Sequence, residues 1–282
     1  MGSGIPPEPT LRRIPKVCLV DDPRAFLLLK PDCLRLKLSG SVERAIIRAG
    51  LRIVCRHRVT VSPADVRHLW PEYDDAGHPL ALAFLDRYLT GEPSEVLHLY
   101  GQDAFEAARR VKREVRSRHA EGPFANVVHG AERRGEMARQ AGHLLGRCDV
   151  CAEPFHSDEP PLNPARPPGR DFREDADLAA LVDELWPLVQ GVPADPGPVR
   201  LEGGDTGQAV YLGSDREQTL DSTVTALWHA LPGVELRHAV LLALHSGWSG
   251  GTPIAVGGRR ALDDCLRTLH THGVRACGKG VT

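Results

Sequence analysis

A chain of 282 residues with a formal net charge of -2 is long enough for two ordinary domains, each with its own core. The balance hides an asymmetry, since residues 1–150 hold 24 Lys and Arg against 19 Asp and Glu while residues 151–282 hold 11 against 18. Cations scattered through the first half exclude a nucleic-acid footprint and suit a small anionic ligand; no apolar run approaches the ~18 residues of a membrane span, and seven irregularly spaced cysteines point to a reducing cytoplasm.

Residues 1–20 are rich in Pro and Gly and show neither the basic start nor the apolar stretch of a signal peptide. The run from Ala25 to Leu29 predicts a strand that delivers Lys30 and stops at Pro31. Ser39 to Gly50 reads as a capped helix with Val42, Ala45, Ile46 and Ala49 on one face. Leu51 to Val59 alternates as a half-buried strand, Ser62-Pro63-Ala64-Asp65 opens a short helix, and a further helix runs from about Leu80 to Leu89. Val96 to Gly101 is the third strand, Asp103 caps a basic helix from Ala104 to Arg116, and Ala125 to Val128 is the fourth strand, aiming His129. Two β-α-β passes with the helices on one face make a ferredoxin-like βαββαβ domain, residues 21–147.

Prolines crowd the stretch 148–205, which reads as a linker with one helical island from Asp175 to Val189. Residues 206–282 recover a pattern: strand 208–212, helices 220–231 and 234–245, strand 253–256, helix 259–272 and a closing strand 274–277. The fold class is therefore α+β, with a ferredoxin-like domain, a Pro-rich linker and a small α/β domain.

Lys30-Pro31-Asp32 at a strand end, together with Asn126-Val127-Val128-His129-Gly130, resembles the nucleoside diphosphate kinase family over residues 24–145. The resemblance implies Mg-ATP as phosphoryl donor and attack by a neutral His129 imidazole. It also implies a nucleotide site made of Lys30, Arg109, Arg116 and Asn126, with Trp70 and Leu82 flanking the base, and a homo-oligomer. The bland reading of the run Arg109 to Arg113 is a solvated helix face. Three departures stand out. Gly130-Ala131-Glu132 replaces the family's Gly-Ser-Asp, Gln140 falls near its imidazole-orienting glutamate, and a shorter loop leaves Arg116 and Arg118 as rivals for one position.

Cys148-Asp149-Val150-Cys151 followed by His156 has the spacing of half a zinc site, with His143 the nearest fourth ligand; the other reading is two ordinary thiols. Residues 208–279 resemble the ClpS-type Clp protease adaptor. That resemblance implies an amino-group pocket of Asp215 and His245 beside an apolar hole lined by Leu220, with a peptide N-terminus and a AAA+ unfoldase as partners. The expected function is a phosphohistidine phosphotransferase coupled to such a module. The alternatives are a nucleotide-binding adaptor without turnover and a zinc-clipped scaffold.

Overall fold

Strand β1 (Arg24–Leu29) is buried almost throughout, and its neighbours explain why. The computed structural model describes residues 22–75, 77–146, 148, 151, 154, 155, 157, 159, 177–204, 207–213 and 218–280. In it β1 lies between β3 (Ser94–Tyr100) and β4 (Val128–His129), and β2 (Arg52–Val59) flanks β3, giving the antiparallel order β2-β3-β1-β4. This is the ferredoxin-like order expected from the sequence.

Helices α2 (Ser39–Arg48) and α6 (Ala104–His119) cover one face. Ala104, Ala107, Ala108, Val111 and Val115 recur at helical spacing along α6 and are all buried. The other face is covered too, contrary to the one-sided expectation. Phe26 pairs with His98, and His98 with Cys55, so the three share that face. Met137, Ala141 and Leu145 of α7 (Arg134–Leu145), with Cys151 and Phe155, complete this cluster.

Two local expectations are corrected. The fourth strand is only Val128–His129, because Val127 sits at φ 55 and Val128 N–H bonds Asn126 O, forming a γ-turn. Asp103 does not cap α6 with its side chain; it turns the chain at φ 49. The short α1 (Pro31–Arg35) carries Pro31 at its first position, where its missing N–H costs nothing.

Three helices lie between β2 and β3: α3 (Pro63–Leu69), α4 (Pro71–Asp75) and α5 (Pro79–Leu89). Ser62 and Asp65 form a reciprocal capping box on α3. These helices share a second core with the latter part of the chain: Val66, Leu69, Leu80 and Phe84 join Val182, Val224, Leu227 and Val240 in one cluster. Residues 177–204, expected to belong to a linker, take part in it. In α8 (Leu178–Val189), Val182, Leu185 and Val189 are buried at i, i+3 and i+7, and Val199–Arg200 is β5, an edge strand. The prolines from 160 to 168 lie outside the described residues.

The second sheet has the order β5-β7-β6-β8, with β6 (Gln208–Leu212) antiparallel to β7 (Pro253–Val256) and β8 (Ala276–Gly280). Helices α9 (Leu220–Ala230), α10 (Leu236–Ser249) and α11 (Arg259–Thr271) follow the expected element order. The closing strand begins two residues late. Val274 N–H bonds Leu269 O across Gly273 at φ 72, so Val274 ends a helix instead of starting a strand. No helix among the described residues is long and apolar enough to cross a membrane.

Candidate active site

Lys30-Pro31-Asp32 fixes the backbone that presents His129. Asp32, almost fully buried, accepts from Val127 N–H at 2.9 Å and from the Tyr88 hydroxyl at 2.9 Å. Lys30 N–H donates to Val127 O at 2.9 Å. Val127 is thus bonded on both sides of its peptide unit, which holds a β-branched residue in a left-handed conformation it would otherwise avoid. The γ-turn then aims the next strand, with its imidazole, off the end of the sheet.

The ring's orientation follows from Gln140 on α7. The Gln140 amide donates to Leu69 O at 3.0 Å and to Glu136 Oε1 at 3.0 Å. Both donors being used, Gln140 Oε1 must be the atom facing His129 Nε2, 2.8 Å away. His129 therefore carries its proton on Nε2, leaving the Nδ1 lone pair bare. Trp70 packs edge-on to the ring at 5.1 Å between centroids. Burial, the charges of Lys30, Lys112 and Arg116, and a countervailing bond to Gln140 leave His129 well below the usual imidazole range.

His129 lines a cleft of about 640 Å³. Arg109, Lys112, Arg113 and Arg116 line it too, at i, i+3, i+4 and i+7 along α6. Arg116 donates Nε–H to Val128 O at 2.9 Å and makes no ion pair among the described residues. Arg118 instead pairs with Glu114 at the surface, 3.0 Å away, so Arg116 is the cleft residue of the two. Lys112 was concealed in a run that reads as a solvated face, yet it is buried and bonds Gly130 O and Glu132. Although burial opposes it, the cations Lys112 and Arg109 hold the Glu132 carboxyl below its usual range.

Lys30 stands behind this wall. Its ammonium donates to Asn126 Oδ1 and lies 4.7 Å from the centre of the Tyr88 ring. Burial first, then Arg116 and Lys112, pull its pKa well down, against Asp32. Arg109, Lys112, Arg113, Arg116, Arg133 and Arg139 line the cleft against Glu72, Glu132 and Glu136, so cations exceed carboxylates there and an anion gains. Leu82 is not part of it. It is 3% exposed within the apolar cluster shared by the two parts of the chain, whereas Trp70 lines the cleft beside Tyr73.

Of the expected amino-group pocket, only His245 and Leu220 fall among the described residues. Asp215 lies outside the described residues. His245 donates Nδ1–H to Pro193 O at 2.8 Å, which ties α10 to the segment before β5. Leu220 lines a different cavity, of about 660 Å³, with Leu212, Thr219 and Trp248. Of the cysteine group, Cys148 and Cys151 meet Cys55 and His57, while His143 bonds Asp65 at 2.7 Å and packs against the His68 ring at 4.2 Å, so it is not the fourth member. His156 lies outside the described residues. Cys55-Arg56-His57 was overlooked, though alternate strand positions put the two side chains on one face.

A ferredoxin-like sheet that presents a half-buried histidine to a cleft lined by more cations than carboxylates defines a class of α+β protein. The relatives are more specific. The N-terminal region is 31% identical over 121 residues to the nucleoside diphosphate kinase of Azorhizobium caulinodans, spanning 39% of this chain and 83% of that protein. It is 28% identical over 137 residues to the one from Methylobacterium sp. strain 4-46, 45% and 96% of the two chains. This chain belongs to the nucleoside diphosphate kinase family. No family model matches it. Among solved structures it is similar to the halophilic nucleoside diphosphate kinase of Halobacterium salinarum in complex with CDP, with 20% identity, a TM-score of 0.37, and coverage of 44% of this chain and 87% of that one.

Proposed function

We propose that the chain transfers the terminal phosphoryl group of a nucleoside triphosphate to a second nucleotide through a phosphorylated His129. The observation that carries this is an imidazole on a cleft where cations outnumber carboxylates, its Nε2 held by Gln140 Oε1 and its Nδ1 without a hydrogen bond among the described residues. The Nδ1 lone pair attacks the γ-phosphorus, the bond from phosphorus to the β,γ-bridging oxygen breaks, and the diphosphate leaves with that electron pair. Positive charge spreads over the ring while Nε2–H stays bonded to Gln140 Oε1. A β-phosphate oxygen of the incoming diphosphate then attacks the phosphorus, the N–P bond breaks, and the lone pair returns to Nδ1. Mg²⁺ travels with the triphosphate as part of the substrate. Arg109, Lys112 and Arg116 are assigned to phosphate oxygens, Asn126 to the ribose or a phosphate, and Trp70 to the base.

Incubation with γ-labelled ATP should put acid-labile label on the protein, and an added diphosphate should discharge it. Nucleotide binding without label or exchange would instead favour the reading of a binding protein that does not turn over. No role for the second half enters the proposal, because His245 is occupied by Pro193 and Leu220 faces another cavity.

Because the folded-state pKa of His129 is depressed, the ring stays unprotonated as pH falls through the range where an ordinary histidine, near pKa ~6.5, would charge. The acid limb of the rate is therefore expected below that range, as a profile of kcat/KM against pH will show. An acid limb at the ordinary value would mean the ring is more hydrated than described.

Gln140 also carries a sharp expectation. A glutamate there would bring a second carboxylate to about 3 Å from Glu136 and leave Leu69 O without its donor, so Gln140→Glu should slow exchange by roughly tenfold or more. Adding Glu136→Gln moves the amide to the other partner and should recover most of the rate. If the single change speeds exchange, the Gln140–Glu136 relay is misassigned.

A further inference from the structure

Four side chains on the sheet face opposite α2 and α6 converge on one point. Cys55 and His57 project from the same side of β2, two residues apart. Cys148 and Cys151 follow α7, with Cys151 N–H donating to Cys148 O at 2.9 Å. The three sulfurs and one ring nitrogen all lie within 4.8 Å of one another. Cys55 Sγ is 4.0 Å from Cys148 Sγ and 2.8 Å from Cys151 Sγ, and His57 Nε2 is 3.1 Å from Cys55 Sγ and 4.0 Å from Cys151 Sγ.

We infer that Cys55, His57, Cys148 and Cys151 bind one structural Zn²⁺. Thiols used only as small core groups would pack separately among apolar neighbours, and a disulfide would employ two of three sulfurs and leave the imidazole unexplained. Tetrahedral zinc, with Zn–S near ~2.3 Å and Zn–N near ~2.0 Å, places its ligand atoms about 3.5–3.8 Å apart, within the span found here. Three soft thiolates and an imidazole suit zinc better than a hard, oxygen-seeking cation. All four positions are taken by protein, so the site would be structural and not catalytic.

The surroundings fit the charge such a site carries. Three thiolates on Zn²⁺ leave a net negative centre, and His98, buried behind it, holds Nδ1 at 2.9 Å from Cys151 Sγ as an outer-shell donor. Arg24 lies over the Phe155 ring at 4.6 Å and donates to Pro154 O at 3.1 Å, holding the same segment to the sheet. The metal would thus clip the chain leaving α7 onto β2. Since α7 carries Gln140, the clip anchors the helix that orients His129, but metal binding itself does not depend on the phosphotransfer reading.

The test uses the full-length protein expressed with zinc and purified without chelator. One zinc per chain is expected. Exchange with Co²⁺ should give the visible bands of tetrahedral cobalt together with sulfur-to-cobalt charge transfer, and chelation should lower the melting temperature by at least about 5 °C, reversibly with Zn²⁺. Cys55→Ser and Cys151→Ser should lose the metal. His57→Cys should keep it with stronger charge transfer, and His143→Ala should keep it unchanged. Absence of both zinc and the cobalt spectrum in the unmodified protein overturns the proposal, as does zinc retained by both serine variants or a Cys55–Cys151 disulfide found by non-reducing peptide mapping. The cobalt spectrum of the unmodified protein decides the matter if the serine variants do not fold.

Discussion

His129→Ala is expected to reduce phosphoryl exchange by at least about a thousandfold, since it removes the nucleophile through which both half-reactions pass. The same change should also cost stability, roughly 1–3 kcal/mol, because it empties a site packed against Trp70 and leaves the fully buried Gln140 Oε1 without its donor. Its effect on acid stability has a definite sign. The unfolded chain takes up a proton at an ordinary histidine near pH ~6.5, while folded His129 resists it, so folding loses stability as pH falls below that value. The alanine variant should therefore lose less stability than the parent on acidification. Parallel assays of exchange and of thermal unfolding from neutral to mildly acidic pH separate these effects. An alanine variant that still exchanges phosphate at a substantial fraction of the parent rate would remove His129 from the chemistry.

Asp221→Ala should be the most damaging single change away from the cleft. Asp221, at 0% exposure, sends one carboxylate oxygen to Leu80 N–H and the other to Ala81 N–H, each at 2.9 Å. These are first-turn amides of α5, which have no partner within their own helix. The cap therefore comes from α9, about 140 residues further along the chain, and a carboxylate there also meets the positive end of the α5 dipole. Removing it strands one buried and one half-buried donor, at a cost of roughly 2–4 kcal/mol. That corresponds to a fall in melting temperature on the order of 5–15 °C. Since α5 shares a core with α8, α9 and α10, both parts of the chain should melt together. Two transitions, with only the later part shifted, would mean that the halves are independent domains joined by a linker.

The sequence made the sheet and its centre legible because those features are local. A buried strand ending in Lys30-Pro31-Asp32 and a histidine at the tip of β4 announce themselves by residue type. Cleft cations were partly legible as well: Arg109, Lys112, Arg113 and Arg116 share one helix face, although a dense basic run hides which members turn inward. Lys112 turns inward because the Gly130 carbonyl and Glu132 meet it there, and neither is near in sequence. Val127 could not be anticipated, since a β-branched residue takes a positive φ only when Asp32 and Lys30 fix its peptide units from outside.

The same limit explains the linker. Prolines at 160–168 and 193–198 suggest an extended tether, yet Val182, Leu185 and Val189 form a stripe that finds its partners on α5 and α10. Cys148-Asp149-Val150-Cys151 looks like half a site, while Cys55-Arg56-His57 passes as two residues of a half-buried strand. Only the register of β2 against β3, with the cysteines after α7 laid over it, joins them.

The most direct measurement is the chemical identity of the phosphorylated atom, read by correlated proton and phosphorus NMR of the phosphoprotein after brief exposure to Mg-ATP. With Gln140 holding Nε2–H, the phosphoryl group should be found on Nδ1 of His129. Phosphorus on Nε2, or on a serine or glutamate, would contradict the account.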